Sequence, residues 1–154
     1  MKFTGSKIYR IFSILAVISV MGVIFFLSAQ NGEESAETSS WVIDFLSLFF
    51  KGDLAQDIIR TFAHFSEYGV LGFLMYNVIY SFKIKLAPLI STALSLLYAI
   101  SDEIHQYFVP ERACQPSDLA VDFCGILLGT ALIVLLFRLI NKISLKKKKE
   151  KHYD

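Results

Sequence analysis

The sequence is short of the residues from which water-soluble domains are built. Charged side chains make up 19% of its 154 residues, against about a quarter in an ordinary soluble domain. Cysteine occurs twice, at Cys114 and Cys124, too rarely for a disulfide scaffold. Three prolines and eight glycines exclude a collagen-like chain. A hydrophobic share of 55% excludes a disordered one. The formal net charge of +1 excludes a strongly basic nucleic-acid binder. GxSxG, HExxH and P-loop motifs are all missing, so no enzyme class is specified by motif.

What the sequence does have is long apolar runs. Four cover residues 8–27, 62–82, 86–107 and 118–140. A helix rises about 1.5 Å per residue, so roughly 20 residues cross a hydrocarbon core of about 30 Å. A soluble helical bundle would interleave charged faces with these apolar ones, and the runs do not. The expected architecture is all-α: an integral membrane four-helix bundle forming one domain over residues 1–154.

The charges are sorted along the chain. Lys2, Lys7 and Arg10 precede or open the first span, and Lys83 and Lys85 sit between the second and third. Arg138 lies at the end of the fourth, and Lys142, Lys146 to Lys149 and Lys151 follow it in a basic tail over 141–154. By the positive-inside rule these segments are cytoplasmic, which places both termini inside and loops 28–59 and 108–117 outside. The lysine run is a stop-transfer flank drawn to anionic lipid, and no nucleic-acid partner is expected. The first span resembles a signal peptide in its basic start. Its apolar run is too long, however, and Leu27 suits a cleavage site poorly, so its retention is expected. The two cysteines are expected to be free thiols, because Cys124 should lie more than a turn deep in its helix.

Two shorter features lie between the first two spans. Residues 28–40 are polar and acidic. Residues 40–51 place Val42, Phe45, Leu46, Phe49 and Phe50 on one helical face. That pattern fits a short amphipathic helix on the outer side, in the membrane interface with Trp41 at headgroup level, or packed on the bundle. Gly52 suits a helix stop, and Asp53 with Gln56 resembles a capping box, so a new helix begins near Leu54 and continues into the second span.

The spans carry their ionisable groups at one end. Arg60, His64 and Glu67 share a face of the second span at i, i+4, i+7. Asp102, Glu103, His105 and Gln106 occupy the last turns of the third, before Pro110. Asp118 and Asp122 share a face of the fourth, with Ser117 offering a cap. Such groups are costly in a membrane, so they face the bundle interior and find partners. The two arginines nearby, Arg60 and Arg112, cannot neutralise five carboxylates, so protonation, charged histidines or a bound cation must make up the balance.

Three readings compete for this cluster. One is a hydrogen-bonded plug that holds the helices in register. Another is a pocket for a lipid or lipid-linked head group, with Arg60 and Arg112 as clamps. The last is a catalytic or metal site, since His64-x-x-Glu67 and Asp102-x-x-His105 each put a nitrogen and an oxygen ligand on one helix face. A proton or cation path ranks below these, because no charges continue through the other half of the spans.

The blocks themselves resemble a known family. Arg60-Thr61-Phe62-Ala63-His64-Phe65-Ser66-Glu67-Tyr68, with Gly72 after it, resembles the R-K-x-x-H-x-x-E-Y signature of VanZ-like membrane proteins. Asp102-Glu103-Ile104-His105-Gln106-Tyr107-Phe108 is similar to that family's D-E-x-H-Q-x-F block. Arg112, Asp118, Asp122 and Gly125 resemble its closing R…D…G portion, and Ser28-Ala29-Gln30 its S-x-Q element. The resemblance runs from about residue 8 to 140. Thr61 replaces a usual basic residue, Glu111 stands where glycine is common, and Asp122-Phe123-Cys124 replaces a stretch often written with asparagine.

The resemblance implies a multi-pass bacterial plasma-membrane protein linked to tolerance of the glycopeptide teicoplanin. The favoured expectation is non-enzymatic: binding or remodelling of cell-envelope lipid, a lipid-linked cell-wall precursor, or the surface where a lipoglycopeptide anchors. The ligand-binding residues would be Arg60, His64, Glu67, Asp102, Glu103, Gln106, Arg112, Asp118 and Asp122. The alternative is a membrane enzyme acting on a phospholipid or polyprenyl-linked precursor. His64 or His105 would serve as base, Glu67 or Asp102 as acid or ligand, and Arg60 and Arg112 would hold phosphate. No cofactor is expected; a divalent metal is the one candidate, through His64, Glu67, Asp102 and His105.

Overall fold

The computed structural model describes residues 5–31, 34, 37, 44, 52–110 and 115–150, leaving aside the side chains of 52–56 and 147–150. Apart from Asp44, which is helical, the amphipathic helix expected over 40–51 lies outside the described residues, as do Arg112 and Cys114. Four long helices account for nearly all of the rest: α1 Lys7–Ser28, α2 Gly52–Ser81, α3 Ala87–Gln106 and α4 Pro116–Glu150. The all-helical bundle expected from the sequence is thus present.

Each helix end has a local cause. The Ser6 side chain accepts the Tyr9 amide at 3.1 Å and caps α1. The α2–α3 turn puts Lys83 at φ 61°, a left-handed conformation that side chains other than glycine rarely take. Pro88, in the first turn of α3, removes an amide that would have no helical partner. Pro116 does the same for α4. Its preset φ starts the helix two residues before the expected span, so Ser117 falls inside the first turn and does not cap it. At the other end α4 runs ten residues past Ile140. The basic tail that follows it is rich in lysine, a good helix former, and has no glycine or proline to stop it. Helix α2 begins at Gly52, two residues before Leu54; that glycine opens a helix, and the segment it would have stopped is not described.

The bundle is inverted relative to a soluble protein. Phe12, Phe26, Leu89, Leu97, Leu132 and Leu135 are more than half exposed. Among the described residues the buried set, by contrast, holds as many polar residues as apolar ones, His64, Asp102, Glu103, Asp118 and Asp122 among them. Apolar side chains outside and paired polar ones inside is the arrangement that hydrocarbon solvent favours. Helices α1 and α4 are long and apolar enough to cross a membrane on composition alone. Helix α2, with 30 residues, and α3, with 20, have the length to do so, about 45 and 30 Å, but carry the polar groups.

Helix α2 is the hub, packed against the other three, and its contact with α4 is the most extensive in the fold. Glycines make that contact close. A methyl group on Gly72 would sit 2.7 Å from the Ile126 carbonyl oxygen, and methyls on Gly125 and Gly129 would strike the backbone oxygens of Phe65 and Gly69. Side chains would hold the helices apart; glycine lets the backbones touch. Around this seam Tyr68, Leu71, Val78 and Ile126 pack with Val17 and Ile24 of α1 and Ala99 of α3. A second cluster, Tyr76, Ala87, Ile133 and Phe137, fills the other end.

The helices alternate in direction, so the start of α1, the α2–α3 turn and Arg138 of α4 meet at one end. There Gly5, Lys83, Lys85 and Arg138 border a cavity of about 530 Å³. We refer to this as the lysine end and to the opposite one as the carboxylate end.

Candidate functional site

At the carboxylate end, helices α2, α3 and α4 bring most of the sequence-derived site residues together. Helical spacing sets the pattern: Arg60 and His64 are one turn apart on α2, and Asp118 and Asp122 are one turn apart on α4. With the two helices held at glycine distance, the residues meet in register. Arg60 Nη2 lies 2.5 Å from Asp118 Oδ2, and His64 Nδ1 lies 3.0 Å from Asp122 Oδ1.

On α3, Asp102 is the centre of a second network. Its Oδ2 accepts hydrogen bonds from Ser28 Oγ of α1 at 2.8 Å, from the Tyr68 hydroxyl of α2 at 2.9 Å and from Gln106 Nε2 at 3.1 Å. Gln106 Nε2 also reaches Ser28 Oγ at 3.3 Å. One oxygen thus ties α1, α2 and α3. The next residue, Glu103, accepts the Gln115 amide through Oε2 at 3.1 Å, which secures the chain just before α4.

The buried carboxylates are therefore handled in four ways: a guanidinium for Asp118, an imidazole for Asp122, neutral donors for Asp102 and a backbone amide for Glu103. In three of them one oxygen is left over. Asp102 Oδ1, Glu103 Oε1 and Asp122 Oδ2 are buried and have no hydrogen-bond partner among the described residues. Buried acceptors without donors are rare and each calls for a ligand, an ion or water.

The remaining expected residues fall at the margin. His105 is half-buried and stacks on Phe25 of α1, with ring centroids 4.6 Å apart. Asp102 therefore teams with Gln106 one turn on, rather than with His105. Glu67 is half-buried and engaged in an interaction of its own. Among the described residues, the group of three whose ligand atoms come close enough to share an ion is His64, Glu103 and Asp118, one from each of three helices. Arg60 engages Asp118 through Nη2, while its Nε is buried without a partner among the described residues. Cys124 is a free thiol on the exposed side of α4.

Sequence reasoning misses two side chains of the Asp102 network. Ser28 and Tyr68 lie inside the family-like blocks, yet neither is among the expected site residues; Tyr68 follows His64 by four, the spacing that shares its face. The seam itself is also legible, since Gly125-Ile126-Leu127-Leu128-Gly129 is a GxxxG pattern in an apolar helix.

Beside this cluster an apolar groove of about 570 Å³ runs between α2 and α4, lined by Ile58, Phe62, Phe65, Val121 and Cys124 among others. It lies at the level of the Arg60–Asp118 pair, on the outward faces of the same two helices.

Comparison with known proteins identifies the family. The family model VanZ/LLP1 matches residues 12–138, most of the chain, and the chain belongs to that family. No curated protein and no solved structure matches it.

Proposed function

We propose that this chain is a multi-pass protein of the bacterial plasma membrane that binds the polar head of a cell-envelope lipid or lipid-linked cell-wall precursor at its carboxylate end. The acyl or polyprenyl chain would lie along the α2–α4 groove. The carboxylate end faces outward in this reading, since the lysines gather at the other end. Glycopeptide tolerance, with which the family name associates such proteins, is then one outcome of occupying or reorganising lipid at that surface.

The observation that carries the reading is the adjacency of two unlike environments. A groove walled by Ile58, Phe62, Phe65 and Val121 sits at the level of a buried polar cluster that holds unpartnered oxygens. A lipid is the common ligand that needs both, and pockets of this size suit a single chain. Native mass spectrometry of the purified protein tests it. Co-purifying lipid is expected on the wild type and should be reduced by Phe62→Asp. A lipid-free spectrum in a gentle detergent would refute the reading.

One observation favours a second, enzymatic reading. Asp122 holds the Nδ1 edge of His64 at 3.0 Å, the way a carboxylate orients a general base. Release of phosphate or free head group from added phospholipid or polyprenyl phosphate, lost in His64→Ala, would support it. No turnover in a preparation that retains lipid would leave the binding reading in place.

A further inference from the structure

The geometry points to a divalent transition-metal site formed by His64, Glu103 and Asp118. It rests on the binding reading and deepens it, by supplying the group that would let a cluster of carboxylates hold a phosphate head. Three observations carry it. First, one ligand atom from each of these residues lies within 4.8 Å of the others, and all three residues are buried. They come from α2, α3 and α4, so the cluster is built by the fold and not by one helix face. Zinc-type bonds of about 2.0–2.1 Å set ligand atoms about 3.4 Å apart. Closing on an ion therefore takes about 1 Å, within reach of side-chain rotation.

Second, the histidine is already oriented. Asp122 Oδ1 engages Nδ1, which leaves Nε2 as the ligand atom. A carboxylate on the far nitrogen is the usual outer partner of a metal-bound histidine, fixing its tautomer and ring plane. Asp122 is fully buried, so its position beside that nitrogen is not a surface accident. Asp118 can keep Arg60 on Oδ2 and still ligate, because a carboxylate has lone pairs for both.

Third, the cluster is short of positive charge. Glu103 is 3% exposed, and its Oε1 is buried without a partner among the described residues; Asp102 Oδ1 and Asp122 Oδ2 are in the same state. At formal charge, Asp102, Glu103, Asp118 and Asp122 face the single described guanidinium of Arg60, a net −3 that a divalent ion reduces to −1. One imidazole and two carboxylates suit manganese, iron or zinc. Calcium prefers an all-oxygen set with more ligands. With the ion in place, an incoming phosphate meets a cation and not a ring of acids.

The test uses the full chain, purified in detergent and stripped with a chelator, with Co²⁺ and Mn²⁺ as probes. The expected result is saturable binding of one ion per chain, with cobalt absorption bands marking nitrogen and oxygen ligation. Glu103→Gln and His64→Ala should abolish the bands. Asp122→Asn, which touches no ion, should weaken binding by about 10–100-fold, as loss of an outer carboxylate does. Asn77→Ala at the lysine end should leave binding unchanged. If a ligand variant fails to fold, a rise in the wild type's melting temperature on adding Mn²⁺ still reads the site. No saturable binding by the wild type, or bands unaltered in folded Glu103→Gln, overturns the proposal. Lipid retained by the metal-free chain, measured in the same preparation, separates the two ideas. Lipid without metal refutes this inference alone; metal without lipid refutes the lipid reading alone.

Discussion

The two ends of the bundle are both polar inside, yet they are polar in different ways. At the lysine end Tyr9, Ser13, Asn77, Ser81 and Ser91 are neutral and each has a partner, while Ser95, one turn further along α3, keeps a buried hydroxyl without one. The Tyr9 hydroxyl donates to Asn77 Oδ1, and Asn77 Nδ2 donates to Ser13 Oγ at 3.1 Å. Ser81 and Ser91 return their hydroxyls to carbonyls of their own helices. Among the cations that border this end, Arg10 closes on the Ser81 carbonyl at 3.1 Å and lies over the Phe82 ring at 4.7 Å. These contacts hold helices together and ask for nothing further. At the carboxylate end the groups are ionisable, buried and left with spare oxygens. The difference separates polar groups that only hold the bundle together from polar groups that also keep the spare acceptors a ligand would use.

Substitutions can break this contrast. The largest effect should come where both ends depend on one contact: Gly129→Leu drives a side chain into the Gly69 backbone and should cost about 3 kcal/mol, read as a loss of folded yield and melting temperature. Next, Tyr68→Phe removes one of three donors to Asp102 Oδ2, at a cost of about 1.5 kcal/mol because the acceptor stays buried. It should also lower lipid retention. If it alters stability alone, the carboxylate end behaves like the other one and the contrast fails. Asn77→Leu should cost about 1 kcal/mol of thermal stability and leave lipid and metal binding as they were. Smallest, Arg10→Lys loses the fork on Ser81 and the stack on Phe82, about 0.5 kcal/mol. Any change in ligand binding from either lysine-end variant would mean that the ends are coupled.

Much of this is legible in the sequence. Apolar runs of about 20 residues mark the helices, and i, i+4 spacing alone puts Arg60 with His64 and Asp118 with Asp122 on common faces. Which residue meets which cannot be read that way, because it depends on helix rotation and separation. Spacing pairs His64 with Glu67 on its own helix, and Asp102 with His105. Tertiary packing instead joins His64 to Asp122 and Asp102 to Tyr68, Ser28 and Gln106. The polarity of the lysine end is also hidden in the sequence: Tyr9 and Asn77 look ordinary until their helices are set side by side. The boundary of α4 differs from its apolar run for a simpler reason. Hydropathy reports where a helix leaves lipid, not where it stops being a helix.

The glycine seam has a mechanical consequence. Where α2 and α4 touch backbone to backbone, no flexible side chain lies between them to absorb a load. In the membrane-spanning arrangement proposed above, the pair would tilt as a single beam when the bilayer thins or thickens, and the adjustment would fall on α1 and α3. The gap between His64 and Asp122 would then stay constant across membranes of different thickness. The α3 carboxylates, Asp102 and Glu103, would shift against it, making the width of the chamber sensitive to the lipid around it.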